Sequence, residues 1–260
     1  MKTSLQAAFE AMTRQPDDQA RRITYLERLV DAELTLALEG DDTSGDNVSP
    51  KVLADHDHTY VLAFEGEDRL ATYFGDETQC LTLSGRNLVS MLTETGLGIA
   101  MNAEKLSDAF LVDPESVAWL SNVINDSAEE TEENIVQVFP APEISTAHFT
   151  MLSQKLAAAQ GLADYACLAT ADYGSDRLVP LIFIVGANPG AHVALTKSFA
   201  EFRGFAAEEG ATWDIGFCEP DAEILTKLLR VGIKIDIPKP EPAITPKVPG
   251  ADPNKPPILK

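Results

Sequence analysis

Cysteine is scarce in this chain: Cys80, Cys167 and Cys218 are the only three in 260 residues. They form no CxxC unit, which argues against a zinc knuckle or a thioredoxin-like pair. An odd number at scattered positions gives no disulfide framework either, as a reducing cytoplasm would predict, and the three read as small apolar core residues. Basic residues are also few, with 20 Lys and Arg against 41 Asp and Glu and a net charge of −21. That field repels phosphate backbones and anionic lipid heads, so neither nucleic acid nor a membrane surface is an expected partner. No apolar run approaches the roughly 18 residues of a transmembrane helix. The opening MKTSLQAAFEAMTRQPDD lacks the continuous apolar core of a signal peptide, so a soluble cytoplasmic protein is expected.

The acidity is uneven. Residues 1–134 hold 9 Lys and Arg against 27 Asp and Glu, whereas residues 135–260 hold 11 against 14. Such a first half suits a basic protein partner. The oligomeric state is left open by the sequence.

Hydrophobic residues make up 45% of the chain, enough for a sizeable core, and the length suits two smaller domains. In the first, Leu5, Ala8, Phe9 and Met12 fall at helical spacing, and a second helix from Asp17 and Asp18 carries Ile23, Leu26, Leu29 and Val30. ELTLAL (33–38) alternates as a strand, and Lys51 to Ala54 reads as another. The centre of this half is strand Tyr60–Phe64, helix Arg86–Thr93 and strand Leu97–Met101. Ala109–Val112 and a helix opening at Asp113-Pro114 follow. Residues 127–134, within DSAEETEEN, offer nothing larger than alanine to bury and read as an acidic linker between domain 1–126 and domain 135–238.

The second half reads strand, helix, strand, strand, helix, strand, helix, strand. Its helix from Thr146 should bury Phe149, Leu152, Leu156 and Ala159. VPLIFIV (179–185) is apolar enough for a central strand, with Pro180 near its start. Residues 239–260, rich in proline and lysine, read as a disordered tail. The fold class is α+β, two mixed-sheet sandwich domains.

VLAF, EDRLATYF and LSGRNLVSMLTETGLGIAMN together resemble the N-terminal domain of the SseB (enhanced serine sensitivity) family. AYACLAT, LIFIVGAN and WDIGFCEPDAEILTKLLR, within about 145–238, are similar to the C-terminal domain that accompanies it. The resemblance implies a link to serine or sulfur metabolism and no catalytic residues. Gly96, Gly98 and Asn102 are its most diagnostic letters, and each has an architectural explanation: a helix end, a close backbone approach, and a turn closed by an amide side chain.

Two places hold residue types suited to ligands. His56 and His58 beside Asp55 and Asp57 would share one side of a strand and hold a divalent ion; an exposed polar loop is the alternative. Gly186, Asn188 and Gly190 follow an apolar strand and open a helix, where backbone N–H groups hold anions; a tight turn is the alternative. Neither GxGxxG nor GxxxxGK[ST] spacing is present, so no cofactor is expected. Ser84 lacks a GxSxG elbow and reads as a helix cap, and His148 and His192 read as capping or packing residues. The expected function is a noncatalytic binding or regulatory protein, the alternative a small-molecule or metal-binding protein or enzyme with an interdomain pocket.

Overall fold

In the computed structural model, the described residues are 2–40, 49–55, 57–75, 78–105, 107–126, 135–174, 177–207 and 212–239. The proposed linker 127–134, His56 and tail residues 240–260 lie outside them.

The first half runs α1 (Ser4–Arg14), α2 (Gln19–Asp31), β1 (Glu33–Ala37), β2 (Val52–Asp55), β3 (His58–Phe64), α3 (Glu67–Phe74), β4 (Cys80–Ser84), α4 (Gly85–Leu92), β5 (Gly98–Met101), β6 (Phe110–Val112) and α5 (Pro114–Asn125). Its sheet has the order β4-β1-β3-β5-β6, with β2 paired to the first part of β3. One pair, β3 with β5, is parallel. Strand alternation sorts its side chains between two faces. Leu34, Leu36, Val61, Ala63, Ile99 and Met101 enter the main core, while Tyr60, Leu62, Phe64 and Ala100 pack on the other face with Leu70 and Phe74 of α3.

The second half runs β7 (Gln137–Phe139), α6 (Thr146–Ala158), β8 (Tyr165–Asp172), β9 (Leu178–Val185), a short 3-10 turn at Pro189–Ala191, α7 (His192–Ala207), β10 (Asp214–Cys218), α8 (Glu223–Val231) and β11 (Ile233–Asp236). The second sheet is ordered β10-β9-β8-β11, and β7 also pairs with β8. β9 is central, parallel to β10 and antiparallel to β8. Pro180 lies opposite Thr170, ahead of the first β10 partner at Leu181, so its missing N–H falls where β10 has not begun. Cys167, Ala169, Leu181 and Phe183 turn away from the main core toward Leu228 of α8.

Between the sheets lie two helix layers with one continuous apolar cluster, including Leu29, Leu88 and Leu120 from one half and Leu152, Phe199 and Phe202 from the other. At the seam, the Trp119 ring of α5 meets Phe205 of α7 edge-on at 5.6 Å. Gly204 approaches α5 so closely that an added Cβ would lie 2.9 Å from Val123 Cγ1. A polar knot sits in the same seam: the Glu201 carboxylate accepts from Arg86 (3.2 Å) and from Lys155 (3.2 Å), while Arg203 donates to Asp126 (2.8 Å). Nearby Glu27 is buried, and burial pushes its carboxyl above the usual range against the opposing pull of Arg28 and Lys155.

The α6 face differs from the periodicity reading at one position. His148, Met151, Leu152 and Leu156 point inward, and Phe149 is 40% exposed. Leu152, Leu156 and Ala159 are buried as the spacing predicts; only Phe149 departs, with His148 in its place, and Lys155 on the inward side reaches Glu201.

Candidate functional site

The carboxyl ends of β3 and β5 lie side by side, because these strands are parallel. From there the chain departs in opposite directions. After β3 it crosses through α3 to β4 at one edge, and after β5 it turns to β6 at the other. Such a divergence opens a crevice outside the strand ends, the place where open α/β sheets hold ligands. A cleft of about 320 Å³ occupies it, floored by Glu65 and Asn102 and walled by Phe9 of α1, Tyr25 of α2, and Arg69 of α3.

Asn102 fixes the floor. It is buried and has a positive φ of 52°, a conformation asparagine tolerates better than other non-glycine residues. Its N–H donates to the Ala63 carbonyl at 2.9 Å. Its Oδ1 accepts from the Glu65 N–H at 3.0 Å, and its Nδ2 donates to Glu65 Oε2 at 3.0 Å. The other Glu65 oxygen accepts from the Thr3 hydroxyl, whose oxygen in turn caps α1 by accepting from the Gln6 N–H. One carboxylate thereby joins β3, β5 and the start of α1.

The cations around the cleft are already neutralised. Arg69 pairs with Glu104 and with Asp108 at 3.2 Å, and Arg14 and Lys2 both pair with Glu10. Hydrogen bonds from Ser107 and Arg69 hold the Asp108 carboxyl below its usual range. Glu65 forms no ion pair among the described residues. Tyr25 is buried with its ring edge-on to Phe110 at 4.9 Å, and burial together with the Glu65 charge pushes its hydroxyl pKa up, so it stays protonated.

The sites singled out in the sequence lie elsewhere, apart from Asn102. Gly96 has φ +69° at the end of α4, and Gly98 is buried where a Cβ would come within 2.7 Å of the Tyr60 ring. His58 is exposed at the start of β3, opposite Asp55, with its ring 6.3 Å from Tyr60. Among the described residues no group of three or more His, Cys, Asp or Glu side chains is arranged to hold a metal.

Gly186, Asn188 and Gly190 lie at the carboxyl end of β9. The Gly186 N–H donates to Cys218, the Asn188 N–H to Leu162, and the Gly190 N–H to Asn188's own Oδ1. Gly186 has φ +65°, and an added Cβ would lie 2.9 Å from the Asp164 carboxyl carbon. An open recess of about 410 Å³ adjoins this turn.

Ser84 caps α4 by accepting from the Asn87 N–H at 3.2 Å. His148 is buried against Phe202, and His192 stacks on Phe217 at 4.4 Å. Cys167 is buried, Cys80 and Cys218 partly so, and all three are free thiols. Burial pushes the Cys218 thiol up to about 11. Its thiolate population at neutral pH is then roughly a hundredfold below that of an ordinary cysteine, and its alkylation by iodoacetamide is expected to slow by the same factor.

Sequence reasoning passed over Glu65, Arg69 and Tyr25. The signal available was positional: Glu65 directly follows one strand of the parallel pair and Asn102 the other.

The molecule is thus an α+β protein of two mixed sheets whose described cleft opens at the ends of a parallel strand pair. Residues 5–119, which include that cleft's lining from Gln6 to Asp108, match the family model of the SseB protein N-terminal domain. Over this first half the chain is similar to the SseB family. No curated protein and no solved structure matches it. Among the described residues no helix is long and apolar enough to cross a membrane.

Proposed function

We propose that this SseB-like protein is a noncatalytic regulatory protein of the cytoplasm that works by docking a second protein with a basic surface. The observation that carries this reading is the charge asymmetry, 27 Asp and Glu against 9 Lys and Arg in residues 1–134. Asp17, Asp31, Glu33, Glu39, Glu67 and Asp68 stand exposed in that half, and a field of one sign steers an oppositely charged partner and rejects like-charged ones. The second half is read as the family's C-terminal domain. The family resemblance ties the partner to serine or sulfur metabolism.

Capture on the immobilised full-length protein from native lysate tests the reading. A stoichiometric partner is expected at low salt. It should dissociate as ionic strength passes about 0.15 M, where screening acts over about 8 Å, and it should be lost with the double change Glu67→Lys and Asp68→Lys. A partner indifferent to salt and to the charge reversal, or none at all, would overturn the electrostatic dock.

A further inference from the structure

We infer that the cleft at the ends of β3 and β5 is a binding site for a small organic ammonium compound, distinct from any protein-docking surface. Three independent features of the cleft converge on that chemistry.

The first is charge left over after pairing. Arg69 is shared by Glu104 and Asp108, and Glu10 takes both Arg14 and Lys2. Of the carboxylates that line the cleft, Glu65 alone has no ion pair among the described residues, although Thr3 and Asn102 donate to it. A carboxylate has about four lone-pair directions, so acceptor capacity remains after those two bonds. Taken together, Lys2, Arg14 and Arg69 are balanced by Glu10, Glu104 and Asp108, so the charge of Glu65 is the surplus around the cleft.

The second feature is the wall. The partly exposed Phe9 ring lines the cleft, backed by the buried Tyr25 ring at 5.9 Å between centroids, and an aromatic face attracts ammonium groups while rejecting anions. Tyr25 stays protonated and so adds no competing negative charge.

The third feature is preorganisation. Both polar atoms of the Asn102 side chain are committed to Glu65, one to its N–H and one to its carboxylate. The left-handed backbone at Asn102 is held by the Ala63 carbonyl. The acceptor is therefore fixed before any ligand arrives, which lowers the ordering cost of binding. A space of about 320 Å³ suits a metabolite of modest size and lies at the small end of ligand sites.

Calorimetry on the full chain with n-butylamine, tetramethylammonium, n-butanol, butyrate and a backbone-capped lysine tests the assignment. Butylammonium is expected to bind saturably with a dissociation constant on the order of 1 mM or tighter. Butanol and butyrate should fail, and the capped lysine should bind more weakly than the free amine. Glu65→Gln keeps the side chain's shape and one acceptor oxygen for the Asn102 amide, while its NH2 group can donate to the Thr3 hydroxyl oxygen in place of accepting from it. It removes the charge, and should weaken the amine at least about tenfold with little change in the melting curve. Phe9→Leu should weaken it by a smaller factor. Butyrate binding at the cleft, amine binding indifferent to Glu65→Gln, a capped lysine that binds as well as the free amine, or no saturable binding by either cation would each overturn the proposal. None of these outcomes bears on the salt-sensitive protein partner, which Glu67 and Asp68 report.

Discussion

Changing Glu201 to alanine should cost about 3–5 kcal/mol of stability, because it strands the Lys155 ammonium in the seam between the two halves. The Glu201 side chain is only 7% exposed, and the Lys155 side chain that bonds to it at 3.2 Å is only 10% exposed. Arg86 bonds both to this carboxylate and to the more exposed Asp31, so it keeps one partner while Lys155 loses its own. The measurement is the urea midpoint of the variant against the parent. The pair as such is not the source of stability, since taking two charges out of water offsets most of their attraction. The double change Glu201→Leu with Lys155→Met should therefore recover most of the loss, to within about 1–2 kcal/mol of the parent. A single-variant loss below about 1 kcal/mol would show that water reaches the knot as freely as it does a surface pair.

The second large effect is expected at Gly85, where α4 begins directly against α2. Its N–H donates to the Ala32 carbonyl at 2.8 Å. A Cβ there would fall onto the Leu29 carbonyl, 2.8 Å from its carbon and 3.2 Å from Val30 Cα. Both obstacles are backbone of a buried helix, and no rotamer change relieves them. Gly85→Ala should therefore force α4 outward and cost more than about 3 kcal/mol, a melting drop of roughly 6–12 °C for a chain of this size. Gly96→Ala supplies the contrast. That glycine has φ +69° but nothing within 4 Å of an added Cβ, so only the left-handed penalty of about 1–2 kcal/mol applies. Equal losses at the two positions would show that crowding against α2 is not what holds Gly85.

Much of the fold was legible from the apolar pattern. The second half's alternation of strands and helices was readable because long runs such as Leu178–Val185 are bounded by turns, and because β9 is buried on both faces. In the first half, α3 and β4 escaped periodicity. Leu70 is the one fully buried residue of α3, and no residue of β4 is fully buried, so neither leaves a stripe that periodicity can detect. Phe149 misled because His148 takes its place on the inward side, and an inward lysine with a carboxylate partner looks, in sequence, like a solvent-facing charge. Lys155 and Glu201 are 46 positions apart, and nothing local announces that they meet.

The cleft was half legible. Asn102 reads as a turn-former from its place after GIAM, and its conformation fits that role. Its partnership with Glu65 spans 37 positions and depends on β3 and β5 being parallel neighbours, a fact of topology with no signature in either strand's composition. Tyr25 and Phe9 read as ordinary stripe residues on two helices. Only the packing of α1 across the strand ends turns them into a wall.

The seam also constrains how such chains can be shortened or recombined. The stretch that matches the family model stops at Trp119, and that indole rests on Phe205 of the other half. A relative that kept this stretch and dispensed with the rest would bare a greasy helical surface to water. It would have to exchange Trp119 and its apolar neighbours for hydrophilic ones, or recruit a substitute lid from another polypeptide.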